Sequence, residues 1–404
     1  MKTFTRSFIL LALITSACVP NTTQTPVQAP SDSEEEASVS ASTQEPIPTT
    51  IDSSEPPPRG AQSEFSTDFT KHSIPYSDVL SGGPPKDGIP AVDDPKYVSI
   101  SEADEWLRPI EPVVSVEVDG QGRAYPIQIL MWHEIVNDTL NGVPLTITFC
   151  PLCNTAIGFK RTLNGQVLDF GTTGRLRFSN LIMYDRQTET WWQQATGEAI
   201  VGELLGAQLD FYPAVIVSWD SFKSQYPEGD VLSKDTGHGR NYGRNPYFGY
   251  DDINNVPFLY RGAPTPDQLA AVDRVLTIDL NGEAVAYPYK VLEEIHVAND
   301  MVGGEDVVVF WQAGVASALD TTEVATGRDV GSGAAFSRNV DGQTLTFTFD
   351  GTLIKDKETG STWSIFGEAI DGDLKGTELS PTVAINHFWF SWAAFKPETR
   401  IYQP

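Results

Sequence analysis

Ser115 to Asp138 reads SVEVDGQGRAYPIQILMWHEIVND, and Thr277 to Asp300 reads TIDLNGEAVAYPYKVLEEIHVAND. Tyr125-Pro126 matches Tyr287-Pro288 and Asn137-Asp138 matches Asn299-Asp300, both pairs 162 residues apart. Further along, Gly197 to Gly202 (GEAIVG) matches Gly367 to Gly372 (GEAIDG), and Trp219 to Phe222 (WDSF) is paired with Trp392 to Phe395 (WAAF). Self-similarity in one order over so long a stretch predicts a duplicated unit. Its first copy begins with a strand, Val113 to Val118, that turns through Asp119-Gly120. The Tyr-Pro step then opens a helix over about 127–136, because Ile127, Leu130, Met131 and Ile135 fall near helical spacing. Strands follow at Leu145 to Phe149, Ala156 to Lys160, Val167 to Phe170 and Leu181 to Tyr184, and a helix near Ser218 to Tyr226 closes the unit. Hairpin turns such as Asn164-Gly165 make the fold α+β, antiparallel-β-rich, with two tandem related repeats at residues 74–250 and 251–404.

What precedes the repeats is of another kind. Lys2 and Arg6, a short apolar run from Phe8 to Ile14, and Thr15-Ser16-Ala17 before Cys18 read as a signal peptide over residues 1–18. A Cys directly after small residues resembles a lipobox, with Thr15 where Leu is usual, so Cys18 is the expected lipidation site. Residues 19–73 are rich in Ser, Thr, Pro and Glu, including Glu34-Glu35-Glu36 and Pro56-Pro57-Pro58. They are expected to form a disordered tether, since they offer little apolar surface to offset the entropy of ordering. The expected location is therefore the outer face of a bacterial membrane, with the membrane surface as partner through lipid on Cys18. No later apolar run approaches the roughly 20 residues a membrane span needs. Against 27 Lys and Arg stand 54 Asp and Glu, a formal net charge of −27 in 404 residues, which excludes nucleic acid as a partner.

The duplication supplies an internal comparison: residues shared by both copies hold the fold, and reactive residues found in one copy are candidates for chemistry. By that rule the Tyr-Pro step, the Asn-Asp pair and the Gly-Glu-Ala-Ile segment are scaffold. Aligning the copies with one gap places Trp311 opposite Cys150, Gly314 opposite Cys153 and Ile295 opposite His133. The thiol pair and the imidazole thus belong to the first copy alone.

Cys150-Pro151-Leu152-Cys153 lies between two expected strands, whereas redox motifs of the thioredoxin type sit where a strand meets a helix. A Cys-Pro-x-Cys turn between strands resembles a metal knuckle, but a four-ligand site needs two more donors and no second such motif exists. Histidine would have to complete it, and the body offers His72, His133, His238, His296 and His387. His133 is the best placed, on the helix before the Cys strand. A copper or zinc ion is the implied cofactor, and copper suits two thiolates with one imidazole. The alternatives are a small-loop disulfide, redox-active or inert, and a nucleophilic thiol with His133 as base. Secondary candidates are His238, Arg240 and Tyr242, in a Gly-rich loop able to fold over the site, and Asp185 with Arg186, placed to grip an anion or to form an ordinary ion pair.

Several segments resemble the bacterial family catalogued as domain of unknown function 3179. The resemblance rests on Gly82-Gly83-Pro84 with Asp87-Gly88-Ile89-Pro90, on Arg123-Ala124-Tyr125-Pro126 with His133 to Asp138, and on Phe149 to Cys153. It continues through Met183 to Thr188, Gly197-Glu198-Ala199 and Asn245-Pro246-Tyr247, covering residues 74–404. Gly174 to Arg177 and Asn154 depart from the family's pattern. The resemblance implies an exported protein with a C-x-x-C motif and brings no established activity. The sequence therefore predicts a membrane-anchored extracytoplasmic protein with a Cys150, Cys153 and His133 site for metal binding or redox. A thiol-dependent enzyme and a structural lipoprotein with an inert disulfide are the rival readings.

Overall fold

The computed structural model describes residues 55–404, so the expected signal peptide, Cys18 and most of the expected tether lie outside the described residues. The first set of elements runs β1 (Pro112–Val118), β2 (Gln121–Pro126), α1 (Ile127–His133), β3 (Ile135–Leu140), β4 (Val143–Cys150) and β5 (Thr155–Lys160). It continues with β6 (Phe170–Arg177), β7 (Asn180–Asp185), β8 (Trp191–Gln193), β9 (Glu198–Val201), β10 (Val215–Ser218) and α2 (Trp219–Gln225). The second runs β11 (Arg274–Leu280), β12 (Glu283–Pro288), α3 (Tyr289–Ile295), β13 (Val297–Val302), β14 (Glu305–Gln312) and β15 (Ser332–Ser337). It ends with β16 (Phe347–Phe349), β17 (Ile354–Asp356), β18 (Thr362–Trp363), β19 (Ala369–Asp371), β20 (Ile385–Phe388) and α4 (Trp389–Ala393). The chain is β-rich and α+β, and among the described residues no helix is long and apolar enough to cross a membrane.

Each set builds three sheets. In the first they contain β10-β1-β2, β5-β4-β3 and β6-β7-β8-β9; in the second, β20-β11-β12, β13-β14-β15 and β16-β17-β18-β19. Nearly all pairings are antiparallel, and the tight turns explain why. Asp119-Gly120, Asn141-Gly142, Asn164-Gly165, Asn281-Gly282 and Asp341-Gly342 all have positive φ at both residues, the backbone twist that suits two-residue hairpins. Short parallel strands, Asp230–Leu232 on β2 and Arg400–Ile401 on β12, extend the first sheet of each set, and Tyr97–Val98 forms the edge beyond Asp230–Leu232.

The matched residues have structural jobs. Tyr125 donates to Asp138 Oδ2 at 2.5 Å and Tyr287 to Asp300 Oδ2 at 2.8 Å, joining each β2-type or β12-type strand to its neighbouring sheet. Asn137 donates to Phe170 O at 2.8 Å and accepts from Phe170 N at 2.9 Å; Asn299 does the same with Phe347 at 2.8 and 2.9 Å. A side-chain amide here stands in for a missing strand partner, which is why the position calls for Asn.

The two sets share a core. Val114, Tyr125, Leu130 and Ile147 pack in one cluster with Leu319, Phe388 and Phe390. Contact is reciprocal: β20 lies against β5, and β10 against β15. Thr155 Oγ1 meets His387 Nδ1 at 2.9 Å across one junction, and Ser332 donates to Ile216 O at 2.6 Å across the other.

Four expectations change. The first helix stops at His133 rather than Val136: Glu134 turns left-handed (φ 60), and β-branched Ile135 and Val136 open a strand. Residues 55–73, expected in the tether, are ordered, with Phe65 and Phe69 buried against Tyr184 and Trp191. The strand expected at Val167 to Phe170 instead runs Phe170–Arg177 and forms the β6–β7 hairpin, with a bulge at Gly174 (φ 69), where a Cβ would fall 2.0 Å from Pro84 O. Finally, α2 begins at Trp219 and α4 at Trp389, where Trp219 N bonds Glu111 O and Trp389 N bonds Asp273 O, each at 2.8 Å. The WDSF and WAAF pairing is therefore displaced by about one helical turn.

Candidate functional site

The two cysteines sit where a strand becomes a tight turn. Cys150 is the last residue of β4, Pro151–Cys153 form a single 3₁₀ turn, and left-handed Asn154 (φ 51) returns the chain to Thr155 opposite Cys150. Pro151 suits the first position of such a turn because its fixed φ is already right and its missing N–H is not needed there. Both thiols face one acceptor: Cys150 Sγ lies 3.7 Å and Cys153 Sγ 3.4 Å from Ser179 O. That carbonyl is aimed by the β6–β7 turn, where Phe178 (φ 53) and Ser179 (φ 67) are both left-handed without being glycine. Asn180 Nδ2 adds a contact at 3.5 Å to Cys153 Sγ while donating to Gln194 at 2.8 Å.

The surroundings are apolar and nearly closed. Cys150 is 2% exposed and Cys153 fully buried, packed with Ile157, Leu181, Met183 and Ile385. Burial, reinforced by the neighbouring Cys153 thiol and the charge of Glu134, pushes the Cys150 thiol well above its usual range. Glu134 is itself pushed up to about 8 by burial. Tyr247 and Tyr250 pack against this cluster from the segment after Asn245, and burial raises both phenols. His387 enters from the second set. Thr155 Oγ1 donates to Cys153 O at 3.1 Å, so it accepts from His387 Nδ1, which places the ring proton there. His387 Nε2 is buried with no partner among the described residues, and burial drives the ring down to about 3.

His133 does not join the thiols. Its Nδ1 donates to Pro90 O at 2.7 Å and its Nε2 accepts from Tyr242 Oη at 2.6 Å, with Thr236 Oγ1 3.3 Å away. The His238 ring stands 5.5 Å from it. Burial lowers His133 to about 4, partly opposed by the bond to Pro90 O and aided by the charges of His238 and Arg240. His133, His238, Arg240 and Tyr242 are thus gathered beside the Cys turn rather than on it. Among the described residues no group of three or more His, Cys, Asp or Glu is placed to hold a metal, and Cys150 and Cys153 are free thiols. Neither the expected copper or zinc site nor a Cys150–Cys153 bond is seen among the described residues, and the pair stands as a dithiol.

Asp185 and Arg186 turn inward to the fold. Asp185 accepts from Trp192 Nε1 at 2.9 Å and from Thr188, and Asp356 repeats this with Trp363 at 2.9 Å and Thr359. Arg186 binds Asp87 at 2.9 Å and Asp93 at 3.0 Å, the ordinary ion pair of the two readings. Sequence reasoning missed Glu134 and Ser179, and it named His387 only among the possible ligands while preferring His133. The strand bounds show that β4 and β14 align without a gap, so Gln312, not Trp311, stands opposite Cys150, and Val315 opposite Cys153. They also set Val217 of β10 opposite His387 of β20, a one-sided histidine that the displaced helix pairing concealed.

A family described as "Protein of unknown function (DUF3179)" matches residues 86–399. No curated protein and no solved structure matches the chain.

Proposed function

We propose, for a chain that belongs to the DUF3179 family, that it is an extracytoplasmic redox-responsive protein whose Cys150 and Cys153 pass between dithiol and disulfide. The observation that carries this reading is the pair of free thiols directed at the single carbonyl of Ser179. Two sulfurs sharing one acceptor are near neighbours, and a C-x-x-C loop is short enough to close. The reaction is an exchange with a small-molecule disulfide. A Cys thiol loses its proton and attacks one sulfur of the reagent, releasing one thiol. The second Cys displaces the other half, giving the protein disulfide and two reduced thiols.

The setting makes this pair slow. A buried thiol held protonated reacts poorly until the site opens, so the reading is of a sensor or protected store rather than a rapid oxidoreductase. Glu134, itself pushed up to about 8, adds its charge to the burial that keeps Cys150 protonated. Residues 1–18 as signal peptide, lipid on Cys18 and a linker to the outer face of a membrane complete the proposal, with the body arising from duplication of one three-sheet unit.

Reduced protein should be equilibrated with oxidised glutathione at neutral pH, then denatured and alkylated. Loss of two alkylatable thiols and a mass lower by about 2 Da in the Cys150–Cys153 peptide is the expected result. If both cysteines stay reduced across potentials from about −320 to −120 mV, the pair is an inert element of the core and the proposal is wrong.

A further inference from the structure

The reciprocal packing of the two sets leaves two clefts of like construction and unlike size. The smaller, about 270 Å³, is lined by Glu117, Val215, Tyr226, Phe366, Glu368 and Glu378. The strand and helix bounds place Asp279, Ile385, Lys396, Thr196, Glu198 and Gln208 at the corresponding points of the larger, about 580 Å³. The difference in size has a physical cause. In the smaller cleft the rings of Tyr226 and Phe366 meet edge to face, 5.6 Å between centroids, and fill the space. In the larger, a lysine and a threonine stand in their places, and the space stays open.

The larger cleft has the volume of a small-molecule site and the wall of one. Leu209, Phe211, Val383, Ile385, Trp392 and Phe395 supply apolar and aromatic surface. Its charge is lopsided. Lys396 is paired with Asp279 at 2.6 Å, and nearby Arg177 with Asp78 at 3.4 Å, while Glu198 and Asp210 make no ion pair among the described residues. In the smaller cleft Gln225 donates to Glu368 at 2.5 Å; Phe395 occupies the matching place in the larger, so Glu198 lacks such a donor. Two carboxylates without a salt-bridge partner, Glu198 within the field of Arg177, leave the cleft net negative over an aromatic floor, complementary to one kind of molecule.

We propose that the 580 Å³ cleft binds a small organic cation, an amine whose charged end is taken by Glu198 and Asp210 and whose hydrocarbon body rests on Phe211, Ile385 and Trp392. The site shares the Ile385 wall with the thiol cluster but does not use the sulfurs. The test measures binding of 2-phenylethylammonium, neutral 2-phenylethanol and anionic 3-phenylpropanoate to the full chain at low salt, by calorimetry or ligand-observed NMR. The cation should bind about tenfold more tightly than the alcohol, and the anion not detectably. The double variant Glu198→Gln/Asp210→Asn, made at accessible positions, should weaken the cation about tenfold and leave the alcohol unchanged. Val383→Trp should abolish binding, whereas Pro213→Trp in the smaller cleft should not. Cys150→Ser should bind as the native chain does, which separates this outcome from the fate of the redox reading. Absence of cation binding, a cation no tighter than the alcohol, or unchanged affinity in the double variant would each overturn the proposal.

Discussion

Glu134 and His387 ionise against the fold, and they do so from opposite ends of the pH scale. Glu134 is raised from an ordinary value of 4.5 to about 8, so the folded state holds a proton that the unfolded state has released. Its contribution is fully present below pH 4.5 and is lost as pH rises through 8. Glu134→Gln should therefore melt close to the native chain at pH 4.5 and be more stable at pH 8.5, by about 2–4 kcal/mol. Equal melting profiles would show that Glu134 is solvated. His387, lowered by burial from 6.5 to about 3, works the other way: its contribution is complete above pH 6.5 and lost as pH falls toward 3. His387→Asn keeps an N–H near Thr155 but cannot titrate, so its unfolding midpoint should move less between pH 6.5 and 4 than that of the native chain. A parallel acid profile would place the loss elsewhere, with His133 the next buried imidazole.

At the scale of the elements, the side chains that recur in both sets carry backbone rather than chemistry. Asn137 satisfies both the N–H and the carbonyl of Phe170 where β6 begins. Asn137→Ala should cost about 2–4 kcal/mol by leaving two buried backbone groups unpaired, and Asn299→Ala should cost less because its surroundings are half-exposed. Denaturant titration of the two variants gives the comparison directly. Strands and turns were legible because alternation and Asn-Gly or Asp-Gly signals are local. The end of α1 was not: Ile135 and Val136 continue its apolar spacing, and only pairing of β3 with β4 makes them strand. The helix pairing slipped for a similar reason, since Trp389 and Trp392 lie one turn apart and either can match Trp219 by sequence. The thiol turn was visible as a motif. Its companions were not, because Ser179 and His387 reach it through tertiary packing alone.

At the scale of the whole molecule, the two sets of elements share one core within the described residues. β10 and β20 each lie against a sheet of the other set, and Phe388 and Phe390 share a core with Val114 and Ile147. Urea unfolding should accordingly show one transition by tryptophan fluorescence and far-UV circular dichroism alike. A chain ending at residue 250 should fail to fold cooperatively, since it would bare that core. Two separated transitions would mean that the sets are autonomous. The same reciprocal packing has a consequence for how the protein comes to be. Cys150 and Cys153 leave the ribosome, and any export channel, well before the strand that bears His387, a delay of about 10–50 s at about 5–20 residues per second. Until that strand arrives one wall of the thiol cluster is missing, so the sulfurs can first react during biogenesis, in whichever compartment the nascent chain is crossing at the time.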